Sequence, residues 1–113
     1  ALMLDYRNYV AEGTGANIFF IKDNDILTPI ADCFLNGITR QTVIKMVKEK
    51  GFNLVEKHIL PKEIRSFDES FLTGTAAEIT PIKSIDDINY NTGENTTSFQ
   101  LMNDFSNLVN SLG

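Results

Sequence analysis

The chain has 113 residues, the size of one compact domain, and its 42% hydrophobic and 10% aromatic content supplies a core and argues against intrinsic disorder. A formal net charge of −5 without any run of lysine or arginine removes the footprint of a nucleic-acid binder, and no apolar run reaches the ~18–20 residues of a membrane-spanning helix. A lone cysteine, Cys33, leaves no internal disulfide framework and fits a reducing, cytoplasmic setting.

In chain order, Leu2 to Tyr6 and Tyr9 to Glu12 read as two short strands joined through Arg7-Asn8. Asn17 to Lys22, rich in Ile and Phe, reads as a buried strand, and Asp23-Asn24-Asp25 as a turn leading into a hairpin partner, Ile26-Leu27-Thr28. Pro29 to Asn36 is a loop. From Thr39 to Lys50 the period becomes helical: Val43, Ile44 and Val47 make an apolar stripe, while Gln41, Lys45, Lys48 and Glu49 face away. Gly51 stands where a left-handed cap ends a helix. Asn53 to Leu60 reads as a strand with His58 inside it, and Pro61 to Phe67 as a short helix. Glu69 to Thr73 and Glu78 to Ile85 read as strands around a tight bend, and "NYNTGENTT" as a polar surface loop. A last helix spans Thr97 to Leu112, with Leu101, Met102, Phe105, Leu108, Val109 and Leu112 on one face. The expected fold is α+β, or a barrel-like α/β domain: a mixed β-sheet with two main helices and no regular βαβ repeat.

Three stretches carry possible chemistry. In "AEGTGANIFF" the glycines Gly13 and Gly15 open a strand instead of a helix, so the dinucleotide fingerprint fails and a glycine turn fits better. That turn still places Glu12 at a strand end, where a carboxylate can face a cleft. In "FLNGITRQTVI" a helix starts directly after Gly37, and its free N–H groups, its dipole and the Thr39 hydroxyl suit a phosphate; simple capping by Asn36 or Thr39 explains the same residues. In "FLTGTAAEITP" small residues interrupt two strands, as an anion-holding nest or as a tight turn. His58 is the only histidine, so a nucleophilic triad has one candidate base, and His58 with Cys33 does not make a metal site; both read as structural.

Taken in order, "YVAEGTGANIFF", "CFLNGITRQTVI" and "FLTGTAAEITPI" strongly resemble the branched-chain amino acid aminotransferases, of the class IV group of pyridoxal 5'-phosphate enzymes. The resemblance spans nearly the whole chain. D-amino acid aminotransferase and aminodeoxychorismate lyase share the glutamate and the "GITR" segment, while "TGTAAEITP" is closer to the branched-chain group. The resemblance implies the fold of the large carboxy-terminal domain of these enzymes, and pyridoxal 5'-phosphate as cofactor. It implies that Glu12 pairs with the pyridine nitrogen and Leu35 packs on the ring face. Gly37, Ile38 and Thr39 would form the phosphate cup, Gly74 and Thr75 a second phosphate contact, and the Thr75 and Ala76 N–H groups would hold the substrate carboxylate.

The sequence departs from the family at Ala16, where many relatives carry glutamate, and at Asn36, where Asp or Pro is commoner. The family's Schiff-base lysine lies upstream of the Glu12 motif, whereas the first lysine here is Lys22. The resemblance implies that residues 1–113 also lack the family's amino-terminal domain, with its arginine for the phosphate and most of the side-chain pocket. The expectation is a single carboxy-terminal domain, residues 1–113, of an enzyme that transfers amino groups from Leu, Ile or Val to 2-oxoglutarate, inactive by itself and prone to form homo-oligomers through its uncovered apolar face. One alternative is a domain of D-amino acid aminotransferase or aminodeoxychorismate lyase; another, of a different class, is a non-catalytic remnant that binds pyridoxal 5'-phosphate or phosphate.

Overall fold

A computed structural model describes residues 3–9, 17–30, 38–74 and 78–112. Its strands are β1 (Met3–Asp5), β2 (Asn17–Lys22), β3 (Asp25–Thr28), β4 (Asn53–Glu56), β5 (Glu69–Thr73), β6 (Ile79–Ile85) and β7 (Ile88–Asn89); its helices are α1 (Ile38–Glu49) and α2 (Thr97–Leu112), with a 3-10 turn over Pro61–Ser66. The sheet runs β1-β6-β5-β2-β3-β4, and β7 pairs with β6. All described pairings are antiparallel except β3 with β4, the two strands that α1 connects. The mixed sheet with two main helices is the α+β architecture expected.

Strand β5 is buried along its whole length, as a central strand covered on both faces must be. Its alternate side chains serve two cores. Phe71 joins Phe19, Ile21, Ile26, Val43, Val47, Leu101 and Phe105 on the face covered by α1 and α2. Leu72 joins Phe20, Phe67, Ile82, Ile85 and Tyr90 on the other face, against which Ile59, Ile64 and Ile88 also pack. Phe19 and Phe71 are register partners whose rings stack at 4.8 Å, which locks β2 to β5.

Helix α1 ends as its sequence dictates. Gly51 has φ +91°, its N–H bonds the Lys48 carbonyl and the Phe52 N–H bonds the Val47 carbonyl, the paired bonds of a Schellman cap. Helix α2 is capped from afar: the buried Glu69 carboxylate accepts the N–H groups of Thr97 (3.2 Å) and Ser98 (2.6 Å).

Several expectations are corrected. Strand β4 stops at Glu56 instead of reaching Leu60, because its partner β3 ends at Thr28; the Lys57 N–H takes the Thr28 carbonyl as a last bond, and Pro29 follows without an N–H. His58 is therefore outside any strand, and it is exposed. The stretch expected as a polar surface loop begins inside β7, at Asn89, and contains the buried Tyr90, whose hydroxyl donates to the Ile64 carbonyl. On α2, Leu101 and Phe105 are buried, but Leu108 and Val109 are exposed. The first strand ends at Asp5, ahead of a turn over Tyr6-Arg7-Asn8 that takes in Tyr6; its expected partner strand lies, beyond Tyr9, outside the described residues, as does Cys33.

Candidate functional site

The register brings the three sequence motifs to one end of the sheet. Asn17, the first residue of β2, pairs with Thr73, the last of β5, and Thr73 pairs with Ile79, the first of β6. The end of β3 lies at the same end, since Phe20 of β2 pairs with Leu27, and Thr28 is in register with Glu56. The chain thus enters β2 from the Glu12 motif here, leaves β3 toward the "GITR" motif here, and leaves β5 through Gly74 here. The carboxyl ends of parallel strands and the start of the connecting helix are the usual seat of a ligand in such sheets.

Arg40 fixes the start of α1 over this end. Its side chain is 1% exposed, and its Nη2 donates to the Pro29 carbonyl (2.9 Å), just after β3, and to Glu56 Oε1 (2.8 Å), at the end of β4. The other end of α1 is held at the far end of the sheet, where the Asn24 side chain donates to the Gly51 carbonyl and the Asn53 N–H bonds the Asn24 carbonyl. The N–H groups of the first turn of α1 are those which helix geometry leaves without intrahelical acceptors, and the turn carries no acidic residue to repel an anion.

Of the site residues expected from sequence, Ile38 opens α1, Thr39 follows it half-buried, and Gly74 is half-buried directly after β5. A Cβ added to Gly74 would meet nothing within 4 Å, so the glycine borders open space. Glu12, Leu35, Gly37, Thr75 and Ala76 lie outside the described residues. The described donor set consists of backbone N–H groups and hydroxyls at a helix start, with room beside Gly74, and it suits a phosphate group. Two hollows lie elsewhere: one of about 290 Å³ between α2 and the start of β6, touched by Arg7 and Glu78, and a groove of about 600 Å³ between α1 and α2. Neither is lined by Thr39 or Gly74. Among the described residues no group of His, Cys, Asp and Glu could hold a metal, and no helix is long and apolar enough to cross a membrane.

Sequence reading passed over Arg40, and it counted Thr73 only among the small residues of a bend whose N–H groups could form an anion-holding nest. Arg40 precedes Val43 and Val47 by three and seven residues, which puts a charge on the apolar stripe of α1; that spacing was the available signal. Thr73 carried no comparable signal, because its burial follows from β5 being central.

The start of α1, tied by Arg40 to the ends of β3 and β4, and Gly74 at the end of β5 lie at one end of the sheet of an α+β domain. The sequence model described as Amino-transferase class IV matches residues 1–85, and the chain belongs to that family. It is 56% identical over 86 residues to the branched-chain-amino-acid aminotransferase of Pseudomonas aeruginosa, covering 76% of this chain and 28% of that protein. It is 52% identical over 86 residues to a probable branched-chain-amino-acid aminotransferase of Rickettsia felis, covering 76% and 30%. The chain thus spans about 30% of the length of these curated relatives. In three dimensions it superposes on the T.th. branched-chain amino acid aminotransferase complexed with N-(5'-phosphopyridoxyl)-L-glutamate with a TM-score of 0.81 and 35% identity, covering 98% of this chain and 38% of that one. The enzyme from Escherichia coli gives 0.76 and 37%, covering 95% and 37%.

Proposed function

We propose that residues 1–113 are the carboxy-terminal, cofactor-binding portion of a cytoplasmic branched-chain amino acid aminotransferase, forming one wall of a pyridoxal 5'-phosphate site. The observation that carries this reading is the meeting of Asn17, the start of α1 and Gly74 at one sheet end. In it, the Ile38 and Thr39 N–H groups and the Thr39 hydroxyl hold the phosphate, Gly37 and Gly74 let backbone approach it, and Thr75 adds a second contact. Glu12 keeps a proton on the pyridine nitrogen, since an adjacent carboxylate favours the cationic ring. Leu35 covers the ring face, and the Thr75 and Ala76 N–H groups orient the substrate carboxylate. The bound cofactor supplies the electron sink that stabilises the charge left when the substrate Cα proton departs.

The lysine that bonds the cofactor and moves that proton comes, in this reading, from a portion of the enzyme outside these residues. Lys22 is exposed at the end of β2 farthest from Asn17, and Lys57 is tied to Glu63 at 2.9 Å. The reading is tested with pyridoxamine 5'-phosphate, which cannot form imines with surface lysines. Saturable binding that inorganic phosphate competes away, with no transamination of leucine and 2-oxoglutarate by the purified chain, is the expected result. Turnover by residues 1–113 alone, or no competed binding, would overturn it. Supplying the lysine-bearing portion of a relative separates an enzyme part, which gains turnover, from a non-catalytic remnant, which does not.

A further inference from the structure

Thr73 is 2% exposed, and its Oγ1 has no hydrogen-bond partner. Other hydroxyls of the sheet bond sheet carbonyls: Thr28 Oγ1 on β3 donates to Ile18 (2.8 Å) and Ser70 Oγ, on β5 itself, to Phe19 (2.9 Å). A buried hydroxyl without a partner is disfavoured, and such a group in a folded protein calls for a cause. The position of Thr73 supplies one. It ends β5, next to Gly74, and is in register with Asn17 and Ile79 where the three motifs meet. Strand alternation puts it on the same face as Phe71, the face that α1 and α2 cover. The Ser98 hydroxyl is also buried and unpartnered, but it lies beside Glu69, at the opposite end of β5.

We propose that Thr73 is a further cofactor-binding residue, its hydroxyl donating a hydrogen bond to the phosphate group held at the first turn of α1. This inference rests on the phosphate-site reading above. A hydroxyl suits the task because it is neutral, and it finds in the phosphate oxygen the acceptor that the sheet does not offer it.

The test compares the wild-type chain with Thr73→Val, which keeps the shape and removes the hydroxyl, and Thr73→Ser, which keeps the hydroxyl. The probes are pyridoxamine 5'-phosphate and inorganic phosphate, read by titration, with thermal unfolding of the unliganded proteins alongside. Thr73→Val should weaken both ligands about tenfold, as expected for one bond to a charged acceptor, while its unliganded melting temperature stays level or rises. Thr73→Ser should bind within about twofold of wild type. If Thr73→Val binds both probes as tightly as wild type, the proposal fails and the phosphate site stands. If its unliganded form melts well below wild type with unchanged affinity, the hydroxyl is structural and the proposal fails. If wild type itself binds neither probe, the phosphate-site reading fails first and takes the proposal with it.

Discussion

Arg40 and Glu56 form an unequal pair: the guanidinium is buried and the carboxylate, 2.8 Å away, is 47% exposed. The arginine is the member that matters to the fold, because it also satisfies the Pro29 carbonyl and joins α1 to the ends of β3 and β4. Arg40→Ala should destabilise the chain by about 2–4 kcal/mol, through the cavity and the lost bonds, whereas Glu56→Gln should cost under about 1 kcal/mol because water screens that carboxylate. Urea unfolding of both variants checks the ratio; equal losses would contradict it.

Glu69 gives α2 its cap. Replacing it with alanine leaves two N–H groups of a buried helix start without their acceptor, and about 2 kcal/mol of stability should be lost. Amide exchange locates the effect: protection should fall in the first turn of α2 and stay unchanged in α1.

The two ends of the pH range probe two buried groups. Burial pushes the Asp5 carboxyl up, but the Arg7 side chain and the Arg7 and Tyr9 N–H groups outweigh it, and its pKa lies below the ordinary 3.8. A lowered folded pKa contributes stability above the unfolded value and loses it as pH falls through the folded one. Asp5→Asn should therefore lower stability at neutral pH by about 1–2 kcal/mol and flatten the acid limb below pH ~4. Burial pushes the Tyr90 phenol up to about 12, against a small opposing effect of Arg65. Its contribution is complete below pH ~10 and is lost as pH rises through the folded pKa. Tyr90→Phe should remove the highest step of the alkaline absorbance titration.

Gly74 separates fold from function. Since a Cβ there meets open space, Gly74→Ala should leave unliganded stability within about 1 kcal/mol of wild type while weakening pyridoxamine 5'-phosphate at least about fivefold. A stability loss without an affinity loss would show that the open space serves no ligand.

Self-association is expected from the exposed Ile30, Leu60, Leu108 and Val109. Light scattering that gives a strictly monomeric mass at high concentration would count against it.

Local signals in the chain were readable where neighbours along the sequence decide the outcome. Strand β2 carries its Ile and Phe run, and α1 its stripe and terminal glycine, and both fall within a residue of expectation. What distant partners decide was not readable. Strand β4 is as long as β3 allows, and Tyr90 is buried because its ring meets Phe20 and its hydroxyl meets Ile64. The site behaves the same way. Each of the three motifs fits a plain turn or cap, and only the register of Asn17 with Thr73, and of Thr28 with Glu56, puts them together. Glu12, Leu35 and Ala76 drew their roles from resemblance and not from any local pattern.

The central claim is that the start of α1 and the end of β5 hold one phosphate group between them. Amide chemical shifts of the labelled chain, followed as inorganic phosphate and then pyridoxamine 5'-phosphate are added, test it most directly. Saturating shifts centred on Ile38, Thr39 and Gly74, at the same residues for both ligands, are predicted. Saturating shifts confined to other residues, or none at these three, would contradict it.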